Sequence, residues 1–161
     1  MDKSDWVKRL ELLPHPEGGW YKEIHRSDEE ILSLPERYSG KRNYFTSIYF
    51  LLGKEDKSHF HILSSDELWY WHGGGSGIVH TISASGNYKA LKIGPEPDAQ
   101  LQILIPRGHW FAAEVIEGDF LLVSCAVAPG FDFVDFVLGK KEELLYKYPQ
   151  HEKLIEKFSL T

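Results

Sequence analysis

The chain is poor in cysteine, in long apolar runs and in clustered basic charge, and each shortage removes a class of protein. One cysteine, Cys125, in 161 residues rules out an intrachain disulfide. It lies in the apolar run "DFLLVSCAVAP", where a small, buried, inert thiol is expected. No apolar stretch approaches the length of a membrane span. The opening "MDKSDWVKRLELL" lacks the apolar core and small-residue cleavage site of a secretory signal, so the cytoplasm is the expected location. Against 24 acidic residues stand 18 lysines and arginines, a net charge of −6, and no basic cluster exceeds the Lys140–Lys141 pair. Neither nucleic acid nor an anionic membrane surface is an expected partner.

Helix-length segments are scarce as well. Ser4 is placed to cap a short helix to about Leu12. The only other helical signal is "KKEELLYKYPQHEKLIEKF", which Pro149 should break in two. Between them run short alternating segments rich in aromatic and β-branched residues: "WYKEIH", "YFTSIYFLL", "SHFHIL", "DELWYWHG", "IVHTIS", "YKALKIG", "LQILIP", "WFAAEVIEG" and "FLLVSCAVAPG". Turn residues separate them, including the glycine-rich "GGGSG". This pattern predicts an antiparallel all-β sandwich or barrel, because no helices separate the strands. One domain over residues 1–161 is expected, with a β core over about 18–138 and a helical segment over about 140–159.

Chemistry-bearing residues concentrate in "GKEDKSHFHILSSDELWYW". Residues two apart on a strand share a face, so His59 and His61 read as a two-nitrogen arm for zinc, iron, manganese or nickel. They read equally as acid/base groups or as polar residues of a pocket. A Ser64–Ser65 turn would bring Glu67 back to them, with Trp69 and Trp71 on the same face. Glutamate is seldom buried without a partner. "LIPRGHWFAAE" offers His109 as a further nitrogen. On "WYKEIHR" the alternation sets Tyr21, Glu23 and His25 on one face beside Arg26, a group able to pair with Glu23 or bind an anion. Gln102 is a possible hydrogen-bonding contact for a sugar or base. Phenylalanines at the density of "PGFDFVDF" are expected to pack the sheet or a partner subunit. The glycine run lacks the following helix and lysine of a phosphate cradle.

Gly53, His59, His61, Glu67 and Gly74 form a pattern that resembles the first cupin motif, and Pro106-x-Gly108 resembles the start of the second. "HPEGGWYKE", "SIYFLL", "SHFHILSSDELWYWHGG", "LIPRGHWFAAE" and "VAPGFDFVDF" resemble, in order, the blocks of cupin family 5 (DUF985). The resemblance implies a jelly-roll β-barrel, a homodimer, and a small-molecule pocket at the open end. Two departures stand out. Five residues separate His61 from Glu67 where metal-binding cupins have three or four, and Phe111 occupies the usual position of the second-motif histidine. The residues implied for metal are His59, His61, Glu67 and His109. A resemblance to the metal-free sugar-nucleotide epimerases implies a histidine base, His59 or His61, and a tyrosine acid, Tyr21 or Tyr70. Tyr21, Glu23, Arg26, Glu67, Trp69, Trp71, Gln102 and Phe111 are the implied ligand contacts. Three functions follow as expectations: binding of a small polar or sugar-like metabolite with isomerase- or epimerase-like activity, metal-dependent oxygenase or isomerase chemistry, and a non-catalytic homodimeric role.

Overall fold

The computed structural model describes residues 1–160. Its strands are β1 Leu13–Pro14, β2 Trp20–Arg26, β3 Glu30–Ile31, β4 Arg42–Asn43, β5 Thr46–Gly53, β6 Lys57–Ile62, β7 Asp66–Ile82, β8 Tyr88–Ile93, β9 Gln102–Ile105, β10 Trp110–Ala128 and β11 Val137–Leu138. Nine form one antiparallel sheet in the order β1-β2-β5-β10-β6-β11, with β7 also on β10 and carrying β8 and β9; β3 and β4 make a separate ribbon. The long strand β10 organises the sheet. One flank pairs with β7 along its length, while the other pairs with β6 near its start and with β5 near its end. The sheet curls around one apolar face, where Phe50, Leu52, Trp69, Val79, Ile103 and Val123 form the core. This is a curled antiparallel β-sheet with short flanking helices, as the alternating segments predicted.

The glycine-rich run does not form the expected turn. Gly73–Gly77 lie inside the 17-residue strand β7, and Gly118 likewise lies inside β10, which joins the two segments "WFAAEVIEG" and "FLLVSCAVAPG". The two strands shift register between Val115 and Leu121. There the backbones come so close that a Cβ on Gly75 would stand 1.8 Å from the Glu117 carbonyl oxygen. Glycine in a strand marks such close approaches and sharp bends, and a strand this long needs one to curl with the sheet.

The helices close the outer surfaces. Asp2, not Ser4, caps α1 (Lys3–Leu10) through a capping box with Asp5; Ser4 already lies within the first turn. Trp6, Val7 and Leu10 cover Leu51 and Leu122. Pro149 divides the C-terminal segment into α2 (Lys141–Lys147) and α3 (Glu152–Phe158). Leu144, Tyr148, Ile155 and Phe158 from these helices bury Phe60, Ile82 and Ala112 on the sheet's outer side. Between sheet and helices, residues 133–135 form a 3-10 turn followed by the two-residue β11. Asp135 in that turn holds Arg42 bidentately at 2.7 and 2.8 Å, with side chains only 4% and 8% exposed.

Two outcomes test this account. Gly75→Ala should lower unfolding stability by about 1–3 kcal/mol through overpacking at the bend. Asp135→Ala should cost more, about 3–5 kcal/mol, because it strands a buried guanidinium. Urea denaturation checks both, and a wild-type midpoint for either variant contradicts the corresponding contact.

Candidate functional site

The curled sheet encloses a cavity of about 250 Å³, walled by the aromatic side chains Tyr21, Phe50, Trp69, Phe131, Phe133 and Phe136. Its ionisable groups fall into a set with buried side chains, His15, Glu17, His61 and Glu67, and a half-exposed pair, Glu23 and Arg26; the buried Thr46 hydroxyl also lines it.

Glu17 reaches the cavity through a tight loop. The Gly18 amide donates to the His15 carbonyl at 3.0 Å, closing a turn with Pro16 at its second position, where a fixed φ is favoured. Gly18 has φ +107°, and a Cβ there would lie 1.9 Å from the Lys57 carbonyl oxygen; only glycine lets the loop sit this close to β6. The seat is fastened twice, since the Glu17 carbonyl accepts from the His59 amide and from His59 Nδ1, both at 2.7 Å. The Glu17 carboxyl is then held inside. Its Oε1 accepts from the Ser58 hydroxyl at 2.7 Å, and its Oε2 lies 3.0 Å from His61 Nε2.

The hydrogen bonds fix where protons sit. His61 Nδ1 donates to the His59 carbonyl at 2.7 Å, so in the neutral ring Nε2 carries a lone pair facing Glu17. Burial lowers the His61 pKa to about 3 and raises the Glu17 carboxyl well above its ordinary range, helped by the nearby Glu67 charge. Both directions favour a neutral pair, with the Glu17 carboxyl protonated and the unprotonated Nε2 3.0 Å from its Oε2. His15 accepts from the Glu17 amide at 3.1 Å and is also kept neutral by burial, with its pKa near 4.

Glu67 is different. Its side chain is buried and has no ion pair among the described residues; the indole N–H of Trp69 lies beside it and favours its charge without closing a full hydrogen bond. Burial raises Glu67 to about 7, with the Trp69 indole pulling the other way. The Cys125 thiol on the same wall is pushed up by burial and by both carboxyls, which keeps it protonated and unreactive.

The sequence-derived residues separate accordingly. Tyr21, Glu23, Arg26, His61, Glu67 and Trp69 share the cavity, and His59, Tyr70, Trp71, Gln102, His109 and Phe111 do not line it. His59 and His61 do not share a face, because β6 carries one extra residue between its pairings of Ser58 with Ala113 and His61 with Phe111. The bulge turns Ser58 and His61 together toward Glu17. A second bulge in β2 at Ile24 breaks the alternation of Tyr21, Glu23 and His25, and Arg26 joins the cavity instead. Trp71 spends its N–H on the Gly75 carbonyl. Gln102 is exposed, and the Phe111 ring packs 3.9 Å from that of His61. His109 Nδ1 faces the Arg107 carbonyl.

Sequence reading missed His15, Glu17 and the cavity face of Phe131, Phe133 and Phe136. The phenylalanines, expected to pack the sheet or a partner subunit, wall the cavity and meet edge to face, Phe131 and Phe133 at 4.9 Å. An acid set between Pro16 and Gly18 was the available signal for Glu17.

Residues 4–139 match the sequence profile described as Cupin superfamily (DUF985). The chain belongs to this family. The cupin is 30% identical to the uncharacterized protein YML079W of Saccharomyces cerevisiae, the alignment covering 95% of this chain and 81% of that protein. Among solved structures it is similar to a hypothetical protein from Leishmania major, at 34% identity and a TM-score of 0.93 over 100% of both chains. It is also similar to protein SO0799 from Shewanella oneidensis, at 38% identity and a TM-score of 0.89 over 99% of this chain and 98% of that one.

Many cupins hold a metal, and the donors present here do not fit one. His61 spends both ring nitrogens on Glu17 and the His59 carbonyl, His59 turns to the Glu17 backbone, and Phe111 supplies no donor. Among the described residues no group of three or more His, Cys, Asp or Glu side chains is arranged to hold a metal ion.

The Glu67 environment predicts a stability signature. Its folded pKa of about 7 lies above the ordinary 4.5, so its contribution is complete below 4.5 and is lost as pH rises through 7. Glu67→Gln should therefore match wild type in mild acid and exceed it by up to about 3 kcal/mol at pH about 8. The buried histidines act alike in both proteins. Thermal unfolding across pH reads the difference, and a variant less stable than wild type at alkaline pH contradicts the burial of an uncompensated carboxylate.

Proposed function

We propose that this cupin binds a small, polar, sugar-like metabolite in the aromatic cavity and moves protons on it, as an isomerase or epimerase does. The observation that carries the reading is the His61–Glu17 pair: an imidazole nitrogen and a carboxyl oxygen, both buried, 3.0 Å apart on the cavity wall. An isomerisation is proton-neutral overall. A protonated carboxyl beside an unprotonated imidazole nitrogen suits it: with a substrate set between them, Nε2 accepts a proton from one substrate atom and the carboxyl gives one to another. The aromatic walls supply apolar contact for the faces of a ring, and Glu67, Trp69 and Tyr21 supply polar groups to orient it. The volume of about 250 Å³ suits a single small molecule rather than a dinucleotide. His61 and Glu17 are the proposed acid/base residues, with Ser58 as the positioning residue that fixes the carboxyl.

Native mass spectrometry of untagged protein identifies any metabolite retained through purification, and incubation of that metabolite in D₂O reads proton transfer. The expected result is deuterium entering one carbon position, slowed about 100-fold or more in Glu17→Gln and His61→Asn, with binding retained. A retained metabolite that never exchanges would reduce the protein to a binder. Exchange unaffected by either substitution would remove the pair from the chemistry.

A further inference from the structure

The charges around the cavity name the ligand class more closely, on the reading that the cavity is a small-molecule site. Arg26 is the only lysine or arginine side chain among the lining residues. Its guanidinium is already engaged, donating to Glu23 Oε1 at 2.7 and 3.1 Å and to Asn43 Oδ1 at 2.9 Å. The lining histidines, His15 and His61, are kept neutral by burial. No free positive charge therefore awaits an anion, and a phosphate, diphosphate or carboxylate would meet Glu67 and the negative faces of the aromatic rings.

The opposite charge fits on three counts. Glu67 is a buried carboxyl with no ion pair among the described residues, and buried charges are ordinarily paired. Trp69 lines the same cavity, is 1% exposed, and sets its N–H donor beside the Glu67 carboxyl without closing a full hydrogen bond. The surrounding rings offer the faces that attract organic cations. We infer that the ligand carries a protonated amine next to a hydroxyl or carbonyl oxygen, as an amino sugar does, with the ammonium on Glu67 and the oxygen on the Trp69 indole. This assignment separates recognition at Glu67 from proton transfer at His61–Glu17, and it sets this cavity apart from one built for sugar nucleotides.

Three ring compounds that differ in charge test it: trans-2-aminocyclohexanol, trans-cyclohexane-1,2-diol and trans-2-hydroxycyclohexanecarboxylate. Binding is measured by calorimetry at pH about 8, above the Glu67 transition, and located by the indole N–H resonance of Trp69 among the five tryptophans. The amino alcohol should bind about tenfold or more tightly than the diol, with the carboxylate weakest, and Glu67→Gln should level the first two. A diol that binds as tightly as the amine, or a preference that survives Glu67→Gln, overturns the charge assignment and leaves the cavity reading standing. Binding of none of the three also overturns the amino-alcohol assignment. Binding that leaves the Trp69 indole unmoved instead contradicts the cavity as the binding site.

Discussion

The seating of one loop on one strand governs this site. The His15–Gly19 turn presses so close to β6 that Gly18 has no room for a side chain, and His59 grips the Glu17 carbonyl with both its backbone and its ring. That grip commits the Glu17 carboxyl to the interior, where the Ser58 hydroxyl donates to it and His61 Nε2 lies 3.0 Å away. A carboxyl buried on these terms is held neutral, and its neutrality in turn makes His61 a neutral proton acceptor. His59 therefore shapes the site without lining it. The sequence offered it on equal terms with His61 as ligand or base, and its part is to position the acid.

Much of the fold was legible because it rests on patterns with short periods. Alternating apolar residues gave the strands, Pro149 divided the terminal helices, and the motif glycines and histidines indicated the cupin family. The site was legible only in part, and the reason is geometric. Alternation assigns faces on a regular strand, whereas β2 and β6 each carry an extra residue beside the cavity. Each bulge re-aims the residues that follow it, bringing Arg26 in place of His25 and pairing His61 with Ser58 instead of His59. Gly73–Gly77 misled for a related reason. Glycine marks both turns and close crossings of backbone, and only the packing of β7 on β10 distinguishes them. Glu17 and His15 came from a loop, where no periodicity exists to read.

The cavity stores electrostatic cost where the core could have been apolar. Glu67 sits among phenylalanines and a tryptophan without a cationic partner, and the Trp69 N–H beside it closes no full hydrogen bond. Structures tolerate such groups chiefly where function requires them. By contrast, Arg42 and Asp135 at the base of the phenylalanine segment satisfy each other fully, which anchors the aromatic wall over the cavity. A compensated ion pair outside and an uncompensated carboxyl inside is the arrangement expected when the scaffold is fixed and the site is left open to a ligand.

The central claim is that the buried pair is neutral while Glu67 titrates separately near neutrality. Carboxyl-carbon and imidazole-nitrogen NMR on protein labelled at glutamate and histidine reads all three groups in one titration. The account predicts Glu67 ionising near pH 7, Glu17 remaining protonated to higher pH, and His61 showing a protonated Nδ1 with an unprotonated Nε2 until well below pH 5. Ionisation of both carboxyls in the ordinary range near 4.5, with His61 protonated on both nitrogens at neutral pH, would contradict it.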